Sequence, residues 1–440
     1  MSPPDAPVRP GGRGGQAAGQ IQLPEEVAGS EVAAKETRIG AVWQVLGRLP
    51  GHCQLLIAGV AINRMASFVQ VFAVLYLTTS RHWSPGAAGL ALTFFGAGTV
   101  LGVSLGGLVT DRIGCRGTIA LSMFGAGISV GALAMLTGPA AVDVASGVAG
   151  ITTQLFRPAA MTLLAAAVDS GQMVLVAAGY RFGLNLGALI TPLVGAALAS
   201  LSWTLLFVVD AATSLIFGVL AVLFLPRQPG ISSVADRARP DGREVHGEKP
   251  LRDPRLLWLM FGLLTIAAVE SQYISTLPLE VLHKGLATSV YAAMVTANGL
   301  LVVTLEPSLT GLLRSWPIAR TLPLGVLLIG LGIACFGLPG GIAALVLATF
   351  VWTSGEIIGA PPAASAPALM APEPARPRYL ALAGGAQSLG YAIGPSLGTS
   401  LYAVNRQLLW TCCVVGGCIA TVCCSISGRH VGKRVAPADA

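Results

Sequence analysis

The chain has 440 residues, of which 54% are hydrophobic and 11% charged, with a formal net charge of +7. Soluble domains carry about 25% charged residues, so there is too little charge here to cover a water-exposed surface. The positive excess lies in short loops between apolar runs, which excludes the basic face of a nucleic-acid binder. Runs of roughly 20 apolar residues match the thickness of a bilayer core and predict an all-α membrane protein that crosses many times.

Residues 1–50 open the chain. Through residue 38 they are rich in Gly, Pro, Ala and charge and lack the apolar core of a secretory leader, so they read as a disordered cytoplasmic tail ending in an interfacial segment. The excess of Arg over Lys fits a high-GC bacterial genome. Twelve spans follow, at 54–78, 86–109, 117–137, 141–166, 178–200, 203–225, 256–281, 288–312, 319–338, 341–363, 379–402 and 407–427. The longest polar interruption, 226–255, divides them six and six and reads as a flexible linker. The expected units are therefore a bundle over 51–225, the linker 226–255, a bundle over 256–428 and a cytoplasmic tail over 429–440.

Lysine and arginine set the orientation. With the N-terminus inside, Lys35, Arg38, Arg48, Arg112, Arg116, the linker, Arg314, Arg320, Arg376, Arg378, Arg429, Lys433 and Arg434 face the cytoplasm. Only Arg81, Lys284 and Arg406 face outward, so both termini are expected to be cytoplasmic. Five of the eight cysteines crowd the last span with no His or carboxylate beside them, which predicts packing rather than a metal site.

The two halves repeat a motif. Gly187, Thr191, Pro192 and Gly195 in span five have the spacing of Gly390, Gly394, Pro395 and Gly398 in span eleven, 203 residues on. Pro158-Ala159-Ala160 in span four likewise matches Pro362-Ala363-Ala364 in span ten. Two homologous six-helix halves explain both matches.

The most polar loop in the first half reads Gly106-Gly107-Leu108-Val109-Thr110-Asp111-Arg112-Ile113-Gly114-Cys115-Arg116-Gly117. Gly107, with Gly98 and Gly102, would let another helix approach closely. Asp111 could cap the N-terminus of another helix, Gly114 permits a turn, and Arg112 and Arg116 hold the loop inside.

With six-plus-six spans and internal termini, this loop resembles that of the major facilitator superfamily, G-x3-D-[RK]-x-G-[RK]-[RK], with Cys115 in place of the second base. The resemblance covers nearly all of residues 50–428. It implies the major facilitator fold, two pseudo-symmetric six-helix bundles around a central cavity lined by spans one, four, seven and ten. It also implies that Asp111 meets the start of span eleven near Arg378-Tyr379 and an ionic neighbour, for which Arg157 is the candidate, locking the outward-facing state. The related loop of the second half, Leu309–Arg320, lacks the acid. The span-five motif is similar to the antiporter signature G-x3-G-P-x2-G-G of drug–proton exchangers, departing at Thr191 and Ala196.

Ionisable groups at bilayer depth are costly and mark function. Asn63 and Arg64 fall in span one, Arg157 in span four, Arg181 in span five, Glu270 in span seven and Glu356 in span ten. Glu270 or Glu356 is the expected proton-coupling carboxylate, against a fixed buried ion pair or hydrogen-bonded network that orders the helices as the other reading. Asp210 in span six is expected to be structural. Gln70, Gln154, Gln272, Tyr273 and Gln387 complete the expected cavity, whose mostly apolar walls suit an amphipathic organic solute. No histidine lies at membrane depth and no G-x4-G-K-[ST] motif is present, so no cofactor, metal or ATP-driven step is expected. Gly127-Ile-Ser-Val-Gly131 matches a hydrolase elbow, but inside span three it reads as helix packing.

The resulting expectation is a secondary transporter, not an enzyme: a proton-coupled exporter of drugs or natural products in a bacterial inner membrane. Uptake of a nutrient, or a transport-inactive receptor, are the alternatives. Expected partners are the small-molecule substrate, protons and the lipid bilayer, with no nucleic acid, and the expected state is a monomer.

Overall fold

The computed structural model describes residues 47, 49–168, 173–227, 250–313, 316–372 and 375–428. The N-terminal tail, most of the linker, Arg314 and the C-terminal tail lie outside them.

Every span is helical. Span one is Gly51–Met65 followed by Val69–Leu75, and spans two and three form one 51-residue helix, Pro85–Met135. That helix is twice the length a bilayer needs, and it turns at Gly114, whose φ of 75° is open to glycine and disfavoured for other residues. Spans four to six are Pro139–Ala165, Met173–Leu201 and Trp203–Phe224. Span seven is Pro254–Glu270, Gln272–Ser275 and Leu277–His283; spans eight to twelve are Thr288–Leu313, Ile318–Cys335, Gly341–Met370, Arg376–Val404 and Arg406–Gly428. Divided at Gly114, these helices make twelve crossings with apolar side chains turned outward around most of the bundle, as a lipid-facing surface requires.

Small residues set the helix spacing within each half. A Cβ on Gly98, Gly102 or Gly106 would strike the backbone of span four. Gly107, expected to serve that packing, has nothing within 4 Å of such a Cβ. The phase of the helix turns Gly106 inward and leaves Gly107 facing open space.

The repeat is visible atom by atom. A Cβ on Gly187 would meet the Ala61 carbonyl and the Arg64 stem, and one on Gly390 would meet the Leu264 carbonyl and Ala267. Each residue of the second set lies 203 positions after its counterpart in the first. The glycine–proline motif therefore packs span five on span one and span eleven on span seven in one register.

Nearly the same offset relates two hairpins. Arg81 donates to the Ala134 carbonyl at 2.8 Å, and Lys284 donates to the Leu338 carbonyl at 2.6 Å. The residues that follow, His82 and Gly285, both have positive φ, 56° and 71°. A β-branched side chain is poorly accommodated there. Gly285→Val is expected to cost about 1–2 kcal/mol, read as a lower melting temperature of the purified protein.

We call the side carrying these hairpins the far face and the side carrying Gly114 and the linker the linker face. The halves meet near the far face. Gly89 abuts Thr399 and the Pro395 carbonyl, a Cβ on Gly96 would lie 2.8 Å from the Ala392 Cα, and Tyr291 donates to the Val71 carbonyl at 3.2 Å. Toward the linker face, Gly107 on span two and Gly384 and Gly385 on span eleven have open space beside them. The two halves are parted there.

Candidate functional site

The space between the halves is a cavity of about 710 Å³. It reaches the linker-face ends of spans two and eleven at Val103, Ser104, Ala381 and Gly385. A side chamber of about 200 Å³ extends between spans five and eight and shares Arg64, Gln70, Tyr273, Asn298 and Glu356 with it. The walls are more apolar than polar, as expected from the sequence, but charged and polar groups are concentrated in them. Arg64, Gln70, Gln154 and Arg157 converge from the first half, and Glu270, Tyr273, Asn298, Glu356 and Tyr391 from the second. Cations stand on one half and carboxylates on the other.

Two helix breaks place the key groups. Span one stops at Met65 and restarts at Val69, with Arg64 beside the gap. The freed backbone groups find partners: Thr191 donates to the Arg64 carbonyl at 2.7 Å, Ser67 to the Asn63 carbonyl at 3.1 Å, and the Phe68 amide to Asp210 Oδ2 at 3.0 Å. Asp210, 4% exposed, thus caps the second piece of the span. Asn63 is tied to the same neighbour, donating to Ser214 Oγ at 2.8 Å. Span seven breaks at the equivalent place, and Glu270 stands where the first half has Ser67.

The carboxylates are held by neutral donors. Tyr391 Oη donates to Glu270 Oε2 at 2.5 Å, and Asn298 Nδ2 donates to Glu356 Oε2 at 2.9 Å and to Thr353 Oγ1 at 3.1 Å. Tyr273 stacks on Trp352 with ring centroids 4.8 Å apart. The Trp352 indole nitrogen is buried in the same wall without a hydrogen-bond partner among the described residues.

Glu280, at the far-face end of span seven, shows how this chain holds an acid it uses structurally. It is fully buried, 3.3 Å from Arg406 and 3.4 Å from Lys284, and it accepts from Tyr402 Oη at 3.2 Å. Glu270 and Glu356 have no such cation among the described residues.

Several expected cavity residues fall elsewhere. Gln272 is buried but does not line the cavity; its amide donates to the Ala268 and Gly394 carbonyls at 2.8 and 2.9 Å and pins span seven to span eleven. Gln387 sits beside the cavity stripe of span eleven, which runs through Ala381, Gly385, Ser388 and Tyr391. Arg181 is exposed and does not line the cavity. Asn298, Trp352 and Tyr391 were missed. Tyr391 directly follows Gly390 of the repeated motif, which was the available signal.

The loop motif is in place but its expected contacts are not. Asp111 is exposed and, among the described residues, has no hydrogen bond or ion pair. Arg157 lines the cavity instead, and at the start of span eleven Tyr379 Oη donates to Asp253 Oδ2 at 3.0 Å. The parting of the halves on this face separates Asp111 from those partners. Arg112 is exposed, and Arg116 donates to the Leu225 carbonyl at 3.5 Å. Cys115 is 1% exposed and packs with Ile119 and Cys53, so a second base there would be buried. In span three, Ser129 donates to the Gly125 carbonyl at 2.7 Å, and a Cβ on Gly127 would strike Leu215, so this segment is a packing face.

Sequence comparison agrees with the geometry. The profile of the Major Facilitator Superfamily matches residues 56–395. The chain is 24% identical over 307 residues to the Uncharacterized MFS-type transporter YqjV of Bacillus subtilis (strain 168), covering 69% of this chain and 75% of that one. It is 23% identical over 367 residues to the Uncharacterized MFS-type transporter YttB of the same organism, covering 82% and 91%. Among solved structures, a POT family transporter in complex with 5-aminolevulinic acid is similar with a TM-score of 0.72 at 15% identity, covering 88% of this chain and 97% of that one. The nucleoside transporter NupG is similar with a TM-score of 0.70 at 11% identity, covering 85% and 98%. These two likenesses establish the fold alone. With twelve crossings, a repeated six-helix half and a profile match over most of its length, the chain belongs to the Major Facilitator Superfamily of multi-pass membrane transporters.

Proposed function

We propose that the protein is a proton-coupled secondary transporter that exports a small amphipathic organic solute by alternating access, with Glu270 and Glu356 as the proton carriers. The observation that carries this reading is the contrast between Glu280, neutralised by Arg406 and Lys284, and the two cavity glutamates, which have neutral partners such as Tyr391 and Asn298 and no paired cation among the described residues. A carboxylate bonded to neutral donors at bilayer depth can take up and release a proton as its surroundings change, whereas a buried ion pair resists this. Arg64, Arg157 and the loop motif serve the same cycle. The lysine and arginine asymmetry supports placing the linker face and both termini in the cytoplasm of a bacterial inner membrane. The parted conformation is then inward-open, and the chain acts as a monomer.

Export rests on the likeness of the span-five motif to the antiporter signature. Because the same motif packs span eleven on span seven, it carries little information about direction. Uptake of a polar metabolite is the second reading, favoured by the charged walls of the cavity. An accumulation panel in an efflux-deficient host separates the two: export lowers accumulation and a protonophore abolishes the effect, whereas uptake raises it. Glu270→Gln and Glu356→Gln are each expected to cut proton-driven transport to about a tenth or less. If both variants keep it at the wild-type rate, the coupling assignment fails.

A further inference from the structure

We propose that Arg64 and Arg157 together form the seat for an oxyanion, so that the transported solute bears an acidic group, a carboxylate or a phosphonate- or phosphate-type group. This names a substrate class and rests on the reading of the cavity as a transport site.

Both guanidinium side chains line the central cavity and a smaller one beneath it that reaches Asp210. They lie within each other's electrostatic range, and neither has a hydrogen bond or ion pair from its side chain among the described residues. Two like charges brought together at bilayer depth are costly, and a planar guanidinium fork is shaped to hold an oxyanion through two parallel hydrogen bonds.

The four acids buried nearest the cavity and its far-face end make their direct bonds elsewhere. Glu270 and Glu356 accept from Tyr391 and Asn298, Asp210 accepts from the Phe68 amide, and Glu280 lies with Arg406 and Lys284 at the far face. Among the described residues no carboxylate is therefore in direct ion-pair contact with the arginine pair; Asp210, which lines the smaller cavity with them, acts on Arg64 only from beyond ion-pair distance.

The seat is also built. The Arg64 carbonyl is held by Thr191, and its stem lies so close to Gly187 that a Cβ there would sit 2.7 Å from the Arg64 Cβ. Gln70 and Gln154 line the same two cavities and bring further amide donors. Across the cavity the Tyr273–Trp352 stack offers an aromatic platform. An acidic head on an apolar or aromatic body fits this arrangement; a cationic head would face two guanidinium groups.

The test uses the purified full-length protein and four probes on one skeleton: 3-phenylpropionate, the matching phosphonate, the primary amide and the amine. Binding is read as thermal stabilisation over a concentration series reaching about 10 mM. At least one oxyanion is expected to bind about tenfold or more tightly than the amide and the amine. Arg64→Gln and Arg157→Gln should each erase that preference, while Arg64→Lys, which keeps charge but loses the fork, should retain part of it. The proposal is overturned if neither oxyanion binds better than the amide, including the case in which nothing binds. It is equally overturned if the preference survives both Gln variants. Flux of the same probes into proteoliposomes under a pH gradient separates this idea from the transport reading. Movement of the amine but not the acids sinks the oxyanion seat and leaves proton-coupled transport standing. Oxyanion binding without flux of any probe does the reverse.

Discussion

Replacing Asp210 with Ala is expected to lower the melting temperature of the purified protein and reduce transport more than tenfold, whereas Asp210→Asn should preserve much of both. The broken first span is the reason. The Phe68 amide lies at the start of the helical piece Val69–Leu75 and donates to Asp210 Oδ2 at 3.0 Å; its other bond, to the Ala66 carbonyl at 2.9 Å, closes a tight turn. Removing the cap leaves that turn to hold the break alone in a buried, water-poor place. Loss of a helix cap costs about 0.5–2 kcal/mol, and a poorly satisfied buried donor costs about 1–3 kcal/mol. Asparagine keeps an acceptor oxygen at the same reach, so its loss should be well under half as large. Transport suffers because Arg64 sits immediately before the break and takes its position from it. Equal damage from the two substitutions would show that the carboxylate charge, and not the cap, is what matters.

Gly96→Val should drive the halves apart at the far face and close them at the linker face. A Cβ at this position would lie 2.8 Å from the Ala392 Cα, across the contact between spans two and eleven. Overpacking of this kind costs about 1–3 kcal/mol, and here the cost falls only on the conformation with the far face closed. A penalty confined to one of two states moves their ratio by roughly 10- to 100-fold. Asp111→Asn should act with the opposite sign if Asp111 meets the start of span eleven in the linker-face-closed state, as the loop resemblance implies. Both can be read from the maleimide reactivity of Ser104→Cys on the cavity wall, in a background with the native cysteines replaced. The valine variant should slow labelling about tenfold or more and the asparagine variant should speed it. Unchanged reactivity in Gly96→Val would mean that the glycine crossing does not set the balance between the two states.

Much of this architecture is legible in the sequence because its signals are local or periodic. Apolar runs of bilayer length mark the crossings, the turn at Gly114 needs a residue tolerant of positive φ, and the 203-residue repeat is carried by glycines and prolines that cannot easily be replaced. The charged residues of the cavity stand out for the same reason: Arg64, Arg157, Glu270 and Glu356 interrupt stretches that otherwise dissolve in lipid.

What was not legible depends on rotational phase and on distant partners. A membrane helix that is apolar nearly all round gives no clue to which side faces the cavity, so Gln387 and Gln272 could not be separated from Gln70 and Gln154, nor Gly107 from Gly106. The break in span one passes through Met65-Ala66-Ser67-Phe68, with no glycine or proline to announce it. It exists because Thr191 and Asp210, 127 and 142 residues away from their partners in the chain, satisfy its backbone. Asn298 and Tyr391 could not be picked out because polar side chains scattered through six helices converge only once the bundle is assembled.

On the proposed mechanism, the division of the cavity walls by sign, arginines on one half and glutamates on the other, lets membrane voltage distinguish the possible cycles. Each unit charge that crosses the full field is worth about 2.3 kcal/mol per 100 mV. If a singly charged acid and one proton travel inward together, the cycle carries no current and ignores the potential. If the acid leaves as protons enter, every cycle moves positive charge inward, and a potential negative inside drives it. With two glutamates available for protons, inward co-transport also becomes voltage-driven once both are used. A current measured in the presence of solute therefore excludes one-to-one co-transport, and an electrically silent cycle excludes exchange.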